Sequence, residues 1–350
     1  MHPTWTEQWW PVAYLRDLDP ARPSRFTLLD RDLVIWWDRA TERWRAFPDV
    51  CPHRLVPLSE GRVNARGELE CPYHGWSFDG EGRCQLIPQA EDATCSDSRR
   101  SRCSVLPTAT GQGLLFVWTG AADAAGSHPL PLVPVLEEEP DSWTVQDTFR
   151  DLPMDALTLL ENVLDVSHVP FTHHRTVGKR SNAAPVRARI THEDASGFCA
   201  VWEEGPRKGT LGSQFTTFQA PLLMWHDLDA KGFARILTVV YAVPIRRGQC
   251  RLFARFPFQF RSPLPRLLLS TRPRCCNTSA TTRFLRTIRC SCTGRSGPLR
   301  RQVEVLQPVA PSFCRVSPMS MSLPSIAGSM ATPESHSPVS LCHPDSQRIH

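Results

Sequence analysis

The 350-residue sequence contains no long hydrophobic run. Its longest, ILTVVYAVPI at 236–245, is about half of the ~20 residues that a membrane helix needs. The first residues, MHPTWTEQWWPV, hold neither a basic segment nor an apolar one of the kind that forms a secretory leader. Together these absences predict a cytoplasmic protein, with membrane association left to a longer form. Also missing is a compact block of Lys and Arg interleaved with aromatics. With 21% charged residues and a net charge of +5, the chain is expected to have no nucleic-acid partner. Cysteine is plentiful, at thirteen. Without an export signal, these thiols point to thiolate chemistry in a reducing compartment rather than to a disulfide framework.

The length suffices for two ordinary domains. Between 12 and 50, the runs VAYL, RFTLLD, DLVIWWD and RWRAFPDV are short and β-rich, separated by turn residues, and GLLFVWTG at 113–120 reads as a closing strand. The Pro- and acid-rich stretch AADAAGSHPLPLVPVLEEEPD then reads as a linker. Beyond it, SWTVQDTFRDL predicts a strand. PMDALTLLENVLDVSHV predicts a helix with Pro153 near its start and Pro170 at its end. FCAVWEEG, GSQFTTFQ, PLLMWHDLD, GFARILTVVYAVP and CRLFARFPFQF follow as antiparallel strands. The expectation is an α+β chain: an all-β domain over 1–122, a linker over 123–142, an antiparallel-sheet domain with a gripping helix over 143–274, and an irregular tail over 275–350.

The first constellation with chemistry in it is CPHRLVPLSEGRVNARGELECPYHG at 51–75. Cys51-x-His53 and Cys71-x-x-His74 place one thiolate and one imidazole on each of two loops. Zinc accepts two Cys and two His, although finger sequences put both Cys before both His. One Cys and one His per loop also suits a two-iron centre with thiolates on one iron and imidazoles on the other. The wider stretch CPHR...CPYHGWSFDGEG resembles the Rieske domain of non-haem iron oxygenases, with Tyr73, His74, Gly75 and Trp76 matching its second loop. The resemblance implies a [2Fe-2S] cluster in which Cys51 and Cys71 bind one iron and His53 and His74 the other. Cys84, Cys95 and Cys103 lie outside the motif and are assigned no role.

The second constellation is ENVLDVSHVPFTHH at 161–174. On the predicted helix Asp165 and His168 share a face, and Pro170 lets His173 turn back toward His168, the start of a site with two His and one carboxylate. The pattern resembles the mononuclear iron motif of the same oxygenases. That resemblance makes His168 and His173 ligands of Fe(II), and gives Asp165 a bridging role toward the Rieske histidine of a neighbouring subunit. His174 is off the pattern and reads as structural. WWPVAYLRDL, PQAEDA, LLENVLDVSHVPFTHH and RSNAAPV are most similar to the branch that contains pheophorbide a and chlorophyllide a oxygenases, from about residue 5 to about residue 274. This implies O2 as co-substrate, a ferredoxin or reductase as electron donor, a homotrimer, and a bulky apolar tetrapyrrole as substrate. A small-aromatic O-demethylase or ring hydroxylase, and an electron-transfer protein without oxygenase chemistry, are the alternatives. Trp202, Phe215, Phe218, Met224 and Trp225 suit either a pocket or a core.

After Arg274 the character of the chain changes. The remainder is rich in Ser, Pro, Cys and Arg, lacks Lys, and has only Glu304, Glu334 and Asp345 as acids. Neither the 3.6 nor the 2.0 hydrophobic period persists there, which predicts disorder. Read one base out of register, the codons from Cys275 permit Leu-Gln-His-Leu-Gly-Asn-Asn, and those of Arg283 to Ser296 permit an Asp-Asp helix. The sequence therefore predicts a frameshift at Cys275 that hides the carboxylate expected as third iron ligand.

Overall fold

Alternation along the strand Arg31–Asp38 divides the first half of the molecule into two cores. Leu33 and Ile35 join Trp10, Tyr14 and Phe116 on one side, while Val34 and Trp36 join Phe47, Leu69, Phe78, Cys51 and Cys71 on the other. Successive strand residues point to opposite faces, so a strand buried on both faces must be apolar at consecutive positions, as VIWW is. In this computed structural model, which describes residues 5–91, 98–204 and 214–262, the strand is central to a three-stranded antiparallel sheet, between Ser24–Leu28 and Arg43–Pro48. A second three-stranded sheet places Leu114–Trp118 between Trp9–Tyr14 and Thr108–Gly111. A small four-stranded sheet, Arg62–Val63, Leu69–Glu70, Ser77–Phe78 and Cys84–Leu86, brackets the second loop of the cysteine and histidine motif.

The second half is built on one seven-stranded antiparallel sheet. Its first strand in sequence, Thr144–Leu152, lies at one edge beside its last, Gln249–Phe260; Ala234–Arg246, Leu223–Ala230, Gln214–Gln219, Gly197–Glu204 and Arg187–Asp194 follow in order to the far edge. The chain must therefore cross the sheet between its first strand and its second. The helix Ala156–Leu164 makes that crossing. Its Ala156, Leu159, Leu160 and Leu164 form one stripe, buried against Phe218, Met224, Val240, Ala242, Leu252 and Ala254. Each fully buried Leu stabilises this seat by about 1.5–3 kcal/mol. The α+β expectation is met. The edge strand Arg187–Asp194 was not legible in the sequence, because RARITHED is almost wholly exposed and carries charges that suit a solvated edge.

The two halves meet over a broad surface. Phe116 of the first half and Leu223, Leu237, Val239, Tyr241 and Phe253 of the large sheet belong to one core. The Tyr14 hydroxyl donates to the carbonyls of Thr148 and Ala254, at 3.1 and 3.2 Å. Segment 123–142 contributes to this seam: Val133 and Leu136 are buried, and Tyr241 donates to the Pro131 carbonyl at 2.9 Å. No helix among the described residues is long and apolar enough to cross a membrane. The tail over 275–350 lies outside the described residues.

Candidate functional site

Two loops of the first half are built on one plan. In the first, the Leu55 N–H donates to the Cys51 carbonyl at 2.9 Å and the Cys51 N–H to Val56 at 2.9 Å. In the second, the Gly75 N–H donates to Cys71 at 3.2 Å and the Cys71 N–H to Trp76 at 2.8 Å. Each loop has Pro after its Cys and a left-handed residue at the fifth position, Leu55 at φ 58° and Gly75 at φ 72°. His53 is third in one loop and His74 fourth in the other. Their rings meet at 4.7 Å between centroids, and His53 lies flat on Trp76 at 4.6 Å and 5°. Gln89 steadies the second loop by donating to the His74 carbonyl at 3.1 Å.

Cys51 and Cys71 are both buried and lie close enough to shift each other's titration. The Cys51 thiol, together with the backbone N–H groups of Tyr73 and His74, favours the Cys71 thiolate, and burial opposes it; Cys51 is correspondingly raised. His53 is shifted down, first by desolvation and then by the neighbouring His74 and Arg54, so its neutral form is favoured. The Nδ1 of His74 is buried without a hydrogen-bond partner, a costly state for an imidazole nitrogen and one that suits a metal ligand. Metal ligands must be thiolate and neutral imidazole, and a [2Fe-2S] centre with two Cys and two His takes two protein ligands per iron. The residues present fit that group.

The second histidine pair sits where the crossing helix ends. The helix stops at Leu164, and Asp165 is its C-cap in extended conformation (φ −81°, ψ 102°), so Asp165 and His168 do not share a helical face as the sequence predicted. Asp165 Oδ1 accepts from the Ser167 N–H at 2.8 Å and from its hydroxyl at 2.5 Å, starting a short 3-10 turn, Val166–His168. Short polar side chains compete with helical backbone bonds in this way. Pro170 opens the next turn, Val169–Thr172, rather than closing the long helix. The two rings nonetheless come together, with His168 and His173 centroids 5.3 Å apart. His168 Nδ1 contacts the Asp165 carbonyl, and His173 is buried. His174 accepts from the Arg180 N–H at 3.2 Å, a structural contact.

Sequence reasoning missed His226. It lies on the sheet strand Leu223–Ala230, and its Nε2 reaches the Val163 carbonyl at 3.0 Å. Burial pushes its imidazole down to about 4. Nothing in PLLMWHDLD distinguishes it from a surface histidine until the sheet register brings it under the helix. The same register sorts the apolar candidates. Phe218 and Met224 lie beneath the helix, Trp225 lies in the other core, and Trp202 stands beside Thr216 on the helix side.

The chain matches the model of the Rieske [2Fe-2S] domain over residues 8–104 and that of pheophorbide a oxygenase over residues 218–287. The chain carries a Rieske domain and a pheophorbide a oxygenase domain, and pheophorbide a oxygenases are among its homologues. It is 40% identical over 278 residues to the chloroplastic pheophorbide a oxygenase of Arabidopsis thaliana, covering 75% of this chain and 50% of that protein. It is 44% identical over 277 residues to that of Oryza sativa subsp. japonica, covering 74% and 51%. The chain thus spans about half the length of the curated relatives it matches. Its fold is similar to that of the Pseudomonas putida CBB5 NdmA QL mutant solved with caffeine, with a TM-score of 0.65, 21% identity and 86% of each chain covered. Rieske oxygenases use a mononuclear iron besides the cluster, and His168 and His173 offer two nitrogen donors of the type that iron takes. The pheophorbide a oxygenase match runs past Cys275, where the sequence reading put its break, into residues beyond those described.

Proposed function

We propose that this chain is an oxygenase that oxidises a bulky apolar substrate of the chlorophyll-type tetrapyrrole class. The observation that carries the reading is the presence, in one chain, of the Cys51/His53/Cys71/His74 loops and of the His168–His173 pair at the helix break. In this reading Cys51 and Cys71 hold one iron of the cluster, His53 and His74 hold the other, and His168 and His173 hold Fe(II). When bound, the cluster supplies electrons and the mononuclear iron supplies O2 chemistry. The protein's part is to favour the neutral form of His53, to tie the ligand loops into fixed turns, and to seat the helix that carries the His168–His173 pair on an apolar wall that includes Phe218 and Met224. Asp165 lies in the exposed turn next to His168 and is proposed to link the pair to the histidine end of a neighbouring subunit's cluster within a homotrimer. A ferredoxin or reductase is the proposed electron donor. The curated relatives are chloroplast proteins by name, which supports a plastid-type compartment over the cytoplasmic placement expected from the sequence.

The test is O2 uptake by purified protein, reduced by a ferredoxin system, with pheophorbide a or chlorophyllide a and separately with methoxybenzoates. Uptake is expected with the tetrapyrroles and not with the methoxybenzoates, once the reading frame at the Arg274–Cys275 junction is restored and the third iron is bound. Uptake with only the methoxybenzoates, or with neither despite a full complement of iron, overturns the reading.

A further inference from the structure

Residues five apart on an uninterrupted α-helix point about 140° away from each other. His168 and His173 are five apart, so their rings converge only because the chain is not one helix from 156 to 173. Two backbone groups that would continue the helix are diverted. The Val163 carbonyl and the Ser167 N–H would bond to each other in a continuing α-helix. Instead the Ser167 N–H goes to the Asp165 side chain at 2.8 Å and the Val163 carbonyl accepts from His226 Nε2 at 3.0 Å.

The direction of the His226 bonds is fixed by its partners. A carbonyl can only accept, so Nε2 carries the proton, and Nδ1 is left to accept from the Thr216 hydroxyl at 2.6 Å. The Thr216 oxygen in turn accepts from the Trp202 indole N–H, a group that can only donate, at 2.5 Å. The chain of donors therefore runs one way, from Trp202 to Thr216 to His226 to Val163. It ties three neighbouring sheet strands, Gly197–Glu204, Gln214–Gln219 and Leu223–Ala230, to the last turn of the helix. Helix ends leave carbonyls that need partners from elsewhere; here the sheet provides one, at the turn before the iron pair.

We propose that His226 is a positioning residue for the mononuclear metal pair: by holding the Val163 carbonyl it ends the helix at Leu164 and places His168 against His173. The proposal rests on the reading of His168 and His173 as a metal-binding pair. Its test uses the full chain with its cluster, as wild type and as His226→Leu, His226→Gln and His168→Ala. Cluster absorption reports the fold of the first half, Co(II) binding by equilibrium dialysis reports the pair, and amide exchange across 160–170 reports the helix end without any metal.

His226→Leu should bind Co(II) about tenfold more weakly and speed exchange at Asp165 to His168 by a similar factor, the effect of losing one well-made hydrogen bond. His226→Gln, whose amide can donate to Val163 and accept from Thr216, should restore both to within about twofold. Wild-type Co(II) binding and unchanged exchange in His226→Leu would overturn the positioning role. Unchanged Co(II) binding in His168→Ala would overturn the metal reading, while the exchange data still judge whether His226 pins the helix. If His226→Leu loses its cluster absorption, Thr216→Val replaces it, since it keeps His226 but frees its ring; wild-type behaviour there in both readouts overturns the proposal.

Discussion

His226 is a residue whose protonation the fold opposes. Its imidazole is held near 4 by burial, against an ordinary value of 6.5. Between those values the unfolded chain binds a proton that the folded chain does not, so stability must fall as pH falls from about 6.5 toward 4. The expected loss is about 2 to 3 kcal/mol. His226→Gln should flatten that part of the stability curve, measured by urea unfolding at a series of pH values. A second prediction at this scale concerns the fifth position of each ligand loop. Leu55 is exposed and left-handed at φ 58°, a conformation that costs a non-Gly residue about 1–2 kcal/mol. Gly at that position forfeits about 0.4–1 kcal/mol through the unfolded chain. Leu55→Gly should therefore stabilise the protein by about 0.5–1 kcal/mol. Gly75→Ala should do the reverse, since φ is 72° and its new Cβ would lie 3.2 Å from Pro88 Cγ. Thermal unfolding followed by cluster absorption would compare the two.

Among the elements, the broken helix is the one on which both the fold and the site depend. Its first nine residues, Ala156–Leu164, follow from an apolar stripe that the sheet buries. What comes next depends on side chains that pull backbone groups away from the helical ladder. Asp165 shapes the turn and is proposed to bridge subunits, two roles that a single substitution can separate. Asp165→Asn keeps an oxygen that can accept from Ser167, so the turn and the metal content should be retained, but it removes the charge. Turnover should drop by about tenfold or more if the carboxylate serves passage between subunits. Asp165→Ala should also cost about 1 kcal/mol of stability, as loss of a capping side chain does. Wild-type turnover in Asp165→Asn would remove the bridging role while leaving the turn intact. The sheet itself explains why the helix is a crossing: its first and last strands are neighbours at one edge, and the meander starts at the other.

On the scale of the whole molecule, the seam between the halves is a packed core rather than a hinge. Tyr14 reaches two carbonyls of the large sheet, and Arg255, itself buried, pairs with Asp147 at 2.8 Å beside it. The Cys51 and Cys71 loops and the His168–His173 pair are thus carried on a single frame. Among the described residues no third His, Cys, Asp or Glu joins His168 and His173, and the frameshift expected at Cys275 would hide the carboxylate proposed for that place. Inserting one base at the Arg274–Cys275 junction should raise iron from two to three per chain and raise substrate-dependent O2 uptake in step. A third iron already held by the uninserted chain would refute the frameshift, against which the family match that continues in the written frame to residue 287 already counts.

The sequence by itself determined the shape of the two loops and where their Cys and His stand, because CPHRL and CPYHG are local turns whose hydrogen bonds close within five or six residues. It also determined most strands, through the short β-branched and aromatic runs, bounded by turn residues, that each strand carries alone. Tertiary structure decided what local pattern cannot encode. The exposed edge strand Arg187–Asp194 exists only by pairing with Gly197–Glu204. Pro170 marks the start of a turn because the helix has already ended at Leu164. That ending depends on His226, 63 residues away in the chain from the carbonyl it holds. A hydrogen bond of that sequence separation leaves no periodic trace; it appears only when sheet register sets the imidazole beneath the helix.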